Sequence, residues 1–315
     1  MHAVNGDHDG PTTLVYVAGD GRSGSTLLEG LLAARTGAVA VGEIRMFLSA
    51  GFRWGARCGC GDLFTECPFW TEVLHGVIPD STEAQREAFE RAGRSLIGNR
   101  HTRRLRAGAD SWSEAERSLG AIREDLYRSI AAVSEAPLIV DSSKTAAYGL
   151  FLAALPALDV RVVHLVRDSR AVAHSWRRKK EWKAAGGEDQ KWMRQLSTAQ
   201  ASRQWMAQNA FSEVLKRRVS RSVTIRYEDL ARRPAEVVNS VLEGLDLAGS
   251  TLPAQTQHGF LGNPIRFDET PAEVVLDDAW AREMRHRDRR VVTAFTFPLL
   301  LRHGYPLRTS SDNFT

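Results

Sequence analysis

The stretch Gly19-Asp20-Gly21-Arg22-Ser23-Gly24-Ser25-Thr26 holds the first residues whose types and spacing could do chemistry. Two glycines five positions apart, directly after an apolar run and directly before a helical pattern, have the spacing of a loop that cradles phosphate. In such a loop the backbone amides and the N-terminus of the next helix converge on an anion. Gly21, Arg22, Ser23, Gly24, Ser25 and Thr26 are then the candidate contacts. The pattern departs from the nucleotide-hydrolase form, because Ser25 stands where that form carries a lysine and the positive charge sits at Arg22 instead. A plain tight turn is the competing explanation for a glycine run. The order strand, GRSGST, helix at the opening of an α/β pattern favours the anion loop.

A second basic stretch could hold another phosphate. Arg167 ends the apolar run Arg161–Val166, and Ser175 falls two helical turns into the next element. Both can therefore face one ligand phosphate at the edge of a sheet. Lys179, one turn further, is expected on the same helical face as a third donor. Between Arg161 and Lys183 there are eight basic and two acidic residues, an excess that suits a polyanion or a phosphorylated small molecule. A solvated helix face is the plainer alternative. Trp176 and Trp182 are the aromatics interleaved here, too few for a stacking platform on single strands, so nucleic acid is not expected.

These residues need elements to position them. Short apolar runs at Leu14–Ala18, Val39–Val41, Leu138–Val140, Arg161–Val166 and Val223–Arg226 read as buried strands. Helical patterns follow: one from the glycine loop through Arg35, then Thr145–Leu155, Ser169–Lys180, a long one at Gln190–Arg218, and Ala235–Leu245. Residues 81–135 read as two charged amphipathic helices broken near Gly108, and one more charged helix is expected near Asp277–Phe295. Strands alternating with helices imply an α/β fold of three layers, a central parallel sheet flanked by helices, with ligands at the carboxyl ends of the strands. Glu43 and Lys144 each follow a strand and would stand at that edge. No repeat, low-complexity linker or clean boundary divides the chain, so residues 1–315 are expected to form one domain, with 1–12 flexible and 81–135 shaping an acceptor pocket.

The composition sets limits on this. The chain has 315 residues, 43% hydrophobic and 25% charged, an ordinary globular balance that excludes disorder throughout. The net charge is +4, and only six of the 42 basic residues are lysines, so the basicity by itself says little about nucleic acid. No apolar run is long enough to span a membrane and the N-terminus lacks an apolar signal core; a cytoplasmic protein is the expectation. Cys58, Cys60 and Cys67 form a tight cluster before Pro68-Phe69-Trp70. Zinc would need a fourth ligand and His75 is the near candidate, so buried structural thiols or one local disulfide are expected rather than metal. His164 and His174 have no partner at motif spacing, and no Ser-His-Asp triad is assigned.

With these motifs quoted, a family resemblance becomes visible. GRSGSTLL resembles the 5′-phosphosulfate loop of sulfotransferases that use 3′-phosphoadenosine 5′-phosphosulfate, closest to the carbohydrate and tyrosylprotein branches, which carry Arg in this loop. Leu165-Val-Arg-Asp-Ser-Arg-Ala-Val-Ala-His-Ser175 is similar to the family's 3′-phosphate motif. The resemblance implies the donor nucleotide as co-substrate, no required metal, and roles for further residues. Val41-Gly-Glu-Ile-Arg45 resembles the segment whose Glu is the general base, which makes Glu43 the base. Lys144 matches the lysine that contacts the leaving oxygen or the transferred group, and Arg22 would share that charge. Tyr227, in Tyr-Glu-Asp-Leu230, matches the tyrosine bordering the adenine. Gly262-Asn-Pro-Ile-Arg266 looks like the loop that closes over the nucleotide, with Arg266 reaching the 3′-phosphate and Asn263 the loop backbone. The implied reaction is sulfuryl transfer to a hydroxyl of a small-molecule, carbohydrate or peptide acceptor. Two other readings compete: a P-loop kinase, against which Ser25 argues, and a non-catalytic binder of anionic partners. Oligomeric state is left open.

Overall fold

The computed structural model describes residues 10–78, 82–96, 98–181, 192–249, 257–262, 266 and 274–308. All five expected strands form: β1 (Thr12–Gly19), β2 (Val39–Gly42), β3 (Ile139–Lys144), β4 (Leu158–Val166) and β5 (Ser222–Arg226). They make one sheet in the order β2-β3-β1-β4-β5, with every pairing parallel. Parallel neighbours need crossover connections, and the helices supply them. They are α1 (Ser25–Thr36), α2 (Pro68–His75), α3 (Glu83–Leu96), α4 (Thr102–Leu105), α5 (Glu114–Ser134), α6 (Ala146–Leu152), α7 (Ser169–Arg177), α8 (Thr198–Lys216), α9 (Tyr227–Arg232), α10 (Pro234–Gly244), α11 (Trp280–Glu283) and α12 (His286–Arg302).

The alternation of side chains along the strands divides the core into two layers. Leu14, Tyr16 and Ala18 of β1, with Val160 and Val162 of β4, pack on one face beneath Leu126, Tyr127 and Ile130 of α5 and most of α6. Val15 and Val17, with Val163 and Leu165, pack on the other against Leu28 and Leu32 of α1 and Leu230, Val238 and Val241 of α9 and α10. The sheet is thus covered on both sides, the three-layer arrangement expected. Buried polar groups are paired across it: Tyr127 donates to Asp141 at 2.6 Å, and Tyr16 to the Thr145 carbonyl at 2.8 Å. Among the described residues no helix is long and apolar enough to cross a membrane.

Several boundaries differ from the sequence expectation, each for a local reason. β3 runs on to Lys144, because Tyr16 and Ala18 of β1 continue the pairing past the apolar part of the strand. α7 stops at Arg177, since Arg178 adopts extended backbone. The long helix starts at Thr198 rather than near Gln190: Trp192–Ser197 are not helical, and Ser197 and Gln200 form a capping box. Between α3 and α5 lies not one break but α4 flanked by short 3-10 turns. α11 and α12 are separated by Met284 and Arg285, whose extended conformations end one helix and begin the next.

Within 81–135, α5 is part of the principal core: Leu126 is 0% exposed. Leu126→Ala should cost about 2–5 kcal/mol of unfolding free energy, the range for truncating a buried leucine. Urea denaturation reads this directly. A loss below about 1 kcal/mol would mean that α5 is a peripheral addition to the sheet.

Candidate active site

All five strands end at the same edge, and each end leads into a candidate residue. Gly19 precedes the glycine loop, Gly42 precedes Glu43, β3 ends on Lys144 itself, Val166 precedes Arg167, and Arg226 precedes Tyr227. A parallel sheet therefore assembles what the sequence scatters over two hundred residues.

The glycine loop is held by close approaches that only glycine permits. A Cβ on Gly19 would lie 2.3 Å from the Leu165 carbonyl oxygen. One on Gly24, whose φ is +89°, would lie 2.5 Å from the Tyr227 ring. Gly24 is also the N-cap of α1 and offers no side-chain cap, so the first-turn amides stay uncapped by the chain's own side chain at that position. Ser23 is buried and its hydroxyl has no hydrogen-bond partner among the described residues. A buried orphan hydroxyl beside an uncapped helix N-terminus is what a bound anion would satisfy. Arg22 has φ +67° and lies 4.9 Å from the centre of the Trp176 ring; burial lowers its pKa. Asp20, which sequence reasoning passed over, is buried, accepts from the Gly21 amide at 2.8 Å and from Gln204 at 2.7 Å, and is pushed up to about 7 by that burial. Raising its pKa reduces the negative charge that the loop would otherwise set against an anion.

Glu43 and Lys144 meet as an ion pair. The Lys144 ammonium donates to Glu43 Oε1 at 2.6 Å and to the Ser142 carbonyl at 3.0 Å; the two side chains are 13% and 25% exposed. Lys144 has φ +68°, as the last residue of a strand rather than the first of a helix. Left-handed backbone is costly for a residue with a Cβ, and both Arg22 and Lys144 bear it. Burial pushes the Glu43 carboxyl up, but Lys144, Arg45 and Arg266 together outweigh it and hold the group below the usual carboxylate range.

Arg167 ties the end of β4 to the glycine loop, donating to the Arg22 carbonyl at 3.0 Å. Its guanidinium also stacks 4.3 Å from the Tyr227 ring centre and pairs with the Asp277 carboxylate at 3.1 Å. Arg178 approaches the same carboxylate at 3.7 Å, while the Asp277 amide donates to the Tyr227 hydroxyl at 3.3 Å. Burial raises the Asp277 pKa, yet Arg167, Arg178 and Lys180 overcome it and hold the group low. Ser175 is buried on α7. The expectation for Lys179 is corrected: α7 has ended, and its ammonium sits over the Trp192 ring at 3.9 Å instead of sharing a helical face with Ser175. Its neighbour Lys180 is the half-buried one, its pKa lowered by burial and then by the charges of Arg22 and Arg178.

Arg266, expected at the 3′-phosphate, forms a buried pair with Glu29 of α1, at 2.8 and 3.3 Å, the side chains 6% and 1% exposed. The Gly42 amide and the Ser142 hydroxyl both donate to the same Glu29 carboxylate at 2.7 Å. Asn263 lies outside the described residues. The histidines acquire carboxylate neighbours: His164 with Glu213 at 3.4 Å and His174 with Glu283 at 3.0 Å. Cys58, Cys60 and Cys67 are free thiols, with no disulfide. Sequence spacing gave no hint of Glu29, Asp277 or Lys180, because their partners lie far along the chain.

Fold and edge together define a three-layer α/β protein of the P-loop type. Residues 15–250 match the Sulfotransferase family, and the chain belongs to it. In structure it is similar to the sulfotransferase domain from the Synechococcus PCC 7002 olefin synthase, with a TM-score of 0.51 and 20% identity over 96% of this chain and 98% of that one. The sulfotransferase domain from the curacin biosynthetic pathway aligns with a TM-score of 0.44 and 16% identity over 94% and 99%. At 20% identity the likeness to the olefin synthase domain is one of fold. No curated protein matches the chain.

Breaking a buried ion pair by removing one partner costs about 3–5 kcal/mol. Arg266→Ala should therefore lower unfolding free energy by about that amount, whereas Arg233→Ala, which breaks an exposed pair with Glu236, should cost less than about 1 kcal/mol. If Arg266→Ala leaves the urea midpoint unchanged and weakens only nucleotide binding, the structural role of the pair is wrong.

Proposed function

We propose that this protein transfers a sulfuryl group from 3′-phosphoadenosine 5′-phosphosulfate to the hydroxyl of a small-molecule, carbohydrate or peptide acceptor. The observation that carries the reading is the 2.6 Å pair between Glu43 and Lys144 at the edge where the glycine loop and Arg167 also stand, in a chain of the Sulfotransferase family. The loop amides, Ser23 and Arg22 are suited to the 5′-phosphosulfate, and Arg167, with Ser175 and Lys180 nearby in sequence, to the 3′-phosphate. Tyr227, whose ring carries Arg167, is assigned the place beside the adenine.

In the reaction the acceptor oxygen attacks sulfur as its proton passes to Glu43. The bond from sulfur to the bridging oxygen breaks, and the nucleotide leaves as the 3′,5′-bisphosphate. Charge develops on the bridging oxygen, where Lys144 and Arg22 would stabilise it without a metal bridge. In the free protein Lys144 occupies Glu43; a bound phosphosulfate would draw the ammonium to itself and release the carboxylate to the acceptor. The Glu43 pKa, low while the pair persists, would then rise toward a more useful base. Asp277 stands beside Arg167 much as a ligand phosphate would, an internal anion that the donor must displace.

Calorimetric titration with adenosine 3′,5′-bisphosphate in Mg2+-free buffer tests the donor site. Arg167→Ala should weaken binding by on the order of 1.5–3 kcal/mol, the worth of a charge-assisted hydrogen bond, while Asp277→Asn should tighten it. Adenosine 5′-phosphosulfate, which lacks the 3′-phosphate, should be much less affected by Arg167→Ala. Equal losses for both ligands would remove the 3′-phosphate assignment.

Chemistry is tested with labelled donor and an acceptor recovered from metabolite extract by mass spectrometry. Glu43→Gln should lower the transfer rate ~10²–10⁴-fold, the usual loss for a general base. Donor affinity should not fall, because Lys144 loses the carboxylate that competes for it. Transfer at the wild-type rate in Glu43→Gln would end this assignment, and absolute dependence on Mg2+ would favour phosphoryl chemistry.

A further inference from the structure

Cys58, Cys60 and Cys67 meet a fourth side chain that sequence spacing did not offer. It is not His75 but His258, 191 residues beyond Cys67. The Cys67 sulfur lies 3.6 Å from the sulfurs of Cys58 and Cys60 and 3.6 Å from His258 Nδ1; Cys58 Sγ is also 3.6 Å from Nδ1. All four ligand atoms fall within 4.8 Å of one another. A disulfide would bring two sulfurs to about 2.05 Å, so these are separate thiols. Zinc bonded to sulfur at about 2.3 Å and to imidazole at about 2.0–2.1 Å defines a tetrahedron with edges of roughly 3.5–3.8 Å. Four measured separations have that length.

The surroundings hold the four groups in place. Cys58 and Cys60 flank a tight turn, in which the Gly61 amide donates to the Cys58 carbonyl at 2.9 Å and the Cys58 amide to the Asp62 carbonyl at 2.8 Å. Cys67 is the N-cap residue of α2. The His258 ring is stacked on Phe69, 4.2 Å between centres and 10° from parallel, while its carbonyl accepts from Trp70 Nε1 at 2.9 Å. Phe69 in turn meets Trp70 edge-to-face, and Trp70, Phe64 and Phe260 pack on one another, an apolar cluster on that side of the kind that excludes water from a metal centre.

We propose that Cys58, Cys60, Cys67 and His258 bind one tetrahedral zinc ion that is structural, its four positions all taken by protein. Four protein ligands leave no open position for catalysis. The ion clips the segment 257–261 onto the 58–67 loop. That segment forms the outer wall at the end of β2: the Gly59 amide donates to the Gly259 carbonyl at 2.8 Å, and the Glu43 amide to the Phe260 carbonyl at 3.3 Å. A single ion would thereby close a loop of nearly two hundred residues beside Glu43. It leaves the metal-free sulfuryl chemistry unchanged, and the inference stands whether or not that chemistry is correct.

The test is metal analysis of the full chain, purified under reducing conditions from zinc-supplemented culture without an affinity tag that binds metal. Mass-spectrometric elemental analysis should give one zinc per chain. Exchange with Co2+ should produce the visible bands of a tetrahedral ion and thiolate-to-cobalt charge transfer. Cys67→Ser and His258→Ala should lose the ion and lower the thermal midpoint, whereas His258→Cys, which restores a fourth ligand, should retain it. Wild-type protein that emerges without zinc, gives no charge-transfer band with Co2+ and exposes three titratable thiols overturns the proposal. So does retention of a full equivalent of zinc by the Cys67→Ser, His258→Ala double variant.

Discussion

The Glu29 carboxylate is the interaction on which the rest of the candidate site depends. It sits on the first helix and is buried, where an unpaired charge would be prohibitive. Four donors satisfy it: both terminal nitrogens of Arg266, the Gly42 amide and the Ser142 hydroxyl. Each donor fixes a different piece of the sheet edge. Gly42 immediately precedes Glu43, Ser142 lies two residues before Lys144, and Glu29 follows the glycine loop by one helical turn. One carboxylate thus sets the distances among the glycine loop, Glu43 and Lys144, and Arg266 supplies the compensating charge from far along the chain. A half-satisfied cluster of this kind would be worse than an apolar one, so its parts stand or fall together.

The same edge shows how a strongly cationic site can exist before any ligand arrives. Lys144 has Glu43, Arg167 has Asp277, and Arg178 shares the latter. These internal anions offset the mutual repulsion of cations converging on one crevice. Their accessibility separates them from the Glu29 pair: Glu43 and Asp277 are partly open to solvent, where a ligand of the proposed kind would take their place, while Glu29 is buried. Burial therefore divides carboxylates that serve the framework from those that hold places.

Legibility in the sequence followed sequence distance. The five strands and the glycine loop were readable because each is local: a short apolar run, a turn residue, a helix start. Glu43, Lys144, Arg167 and Tyr227 were readable as strand-end residues, and the structure does bring them to one edge. Arg266 and Lys179 have partners that their neighbours in sequence do not reveal, Glu29 and Trp192. Lys144 lies inside β3 rather than after it, because pairing with β1 carries the strand past its apolar residues. His258 could not be found from cysteine spacing, since nothing local ties it to residues 58–67.

The position of β1 at the middle of the sheet has a consequence for synthesis on the ribosome. Leu14 pairs with Ile139 on one side and Val160 on the other, so the first strand made waits for both of its neighbours. At about 5–20 residues per second, the intervening chain takes roughly 6–25 s to emerge. During that time a nearly all-apolar strand has neither hydrogen-bonding edge occupied, the condition under which strands pair with the wrong chain. The helices α1 and α5, both made before β3, can cover its two faces but not its edges. Correct pairing of β1 therefore depends on the strand staying unpaired until residues 139–166 have been made.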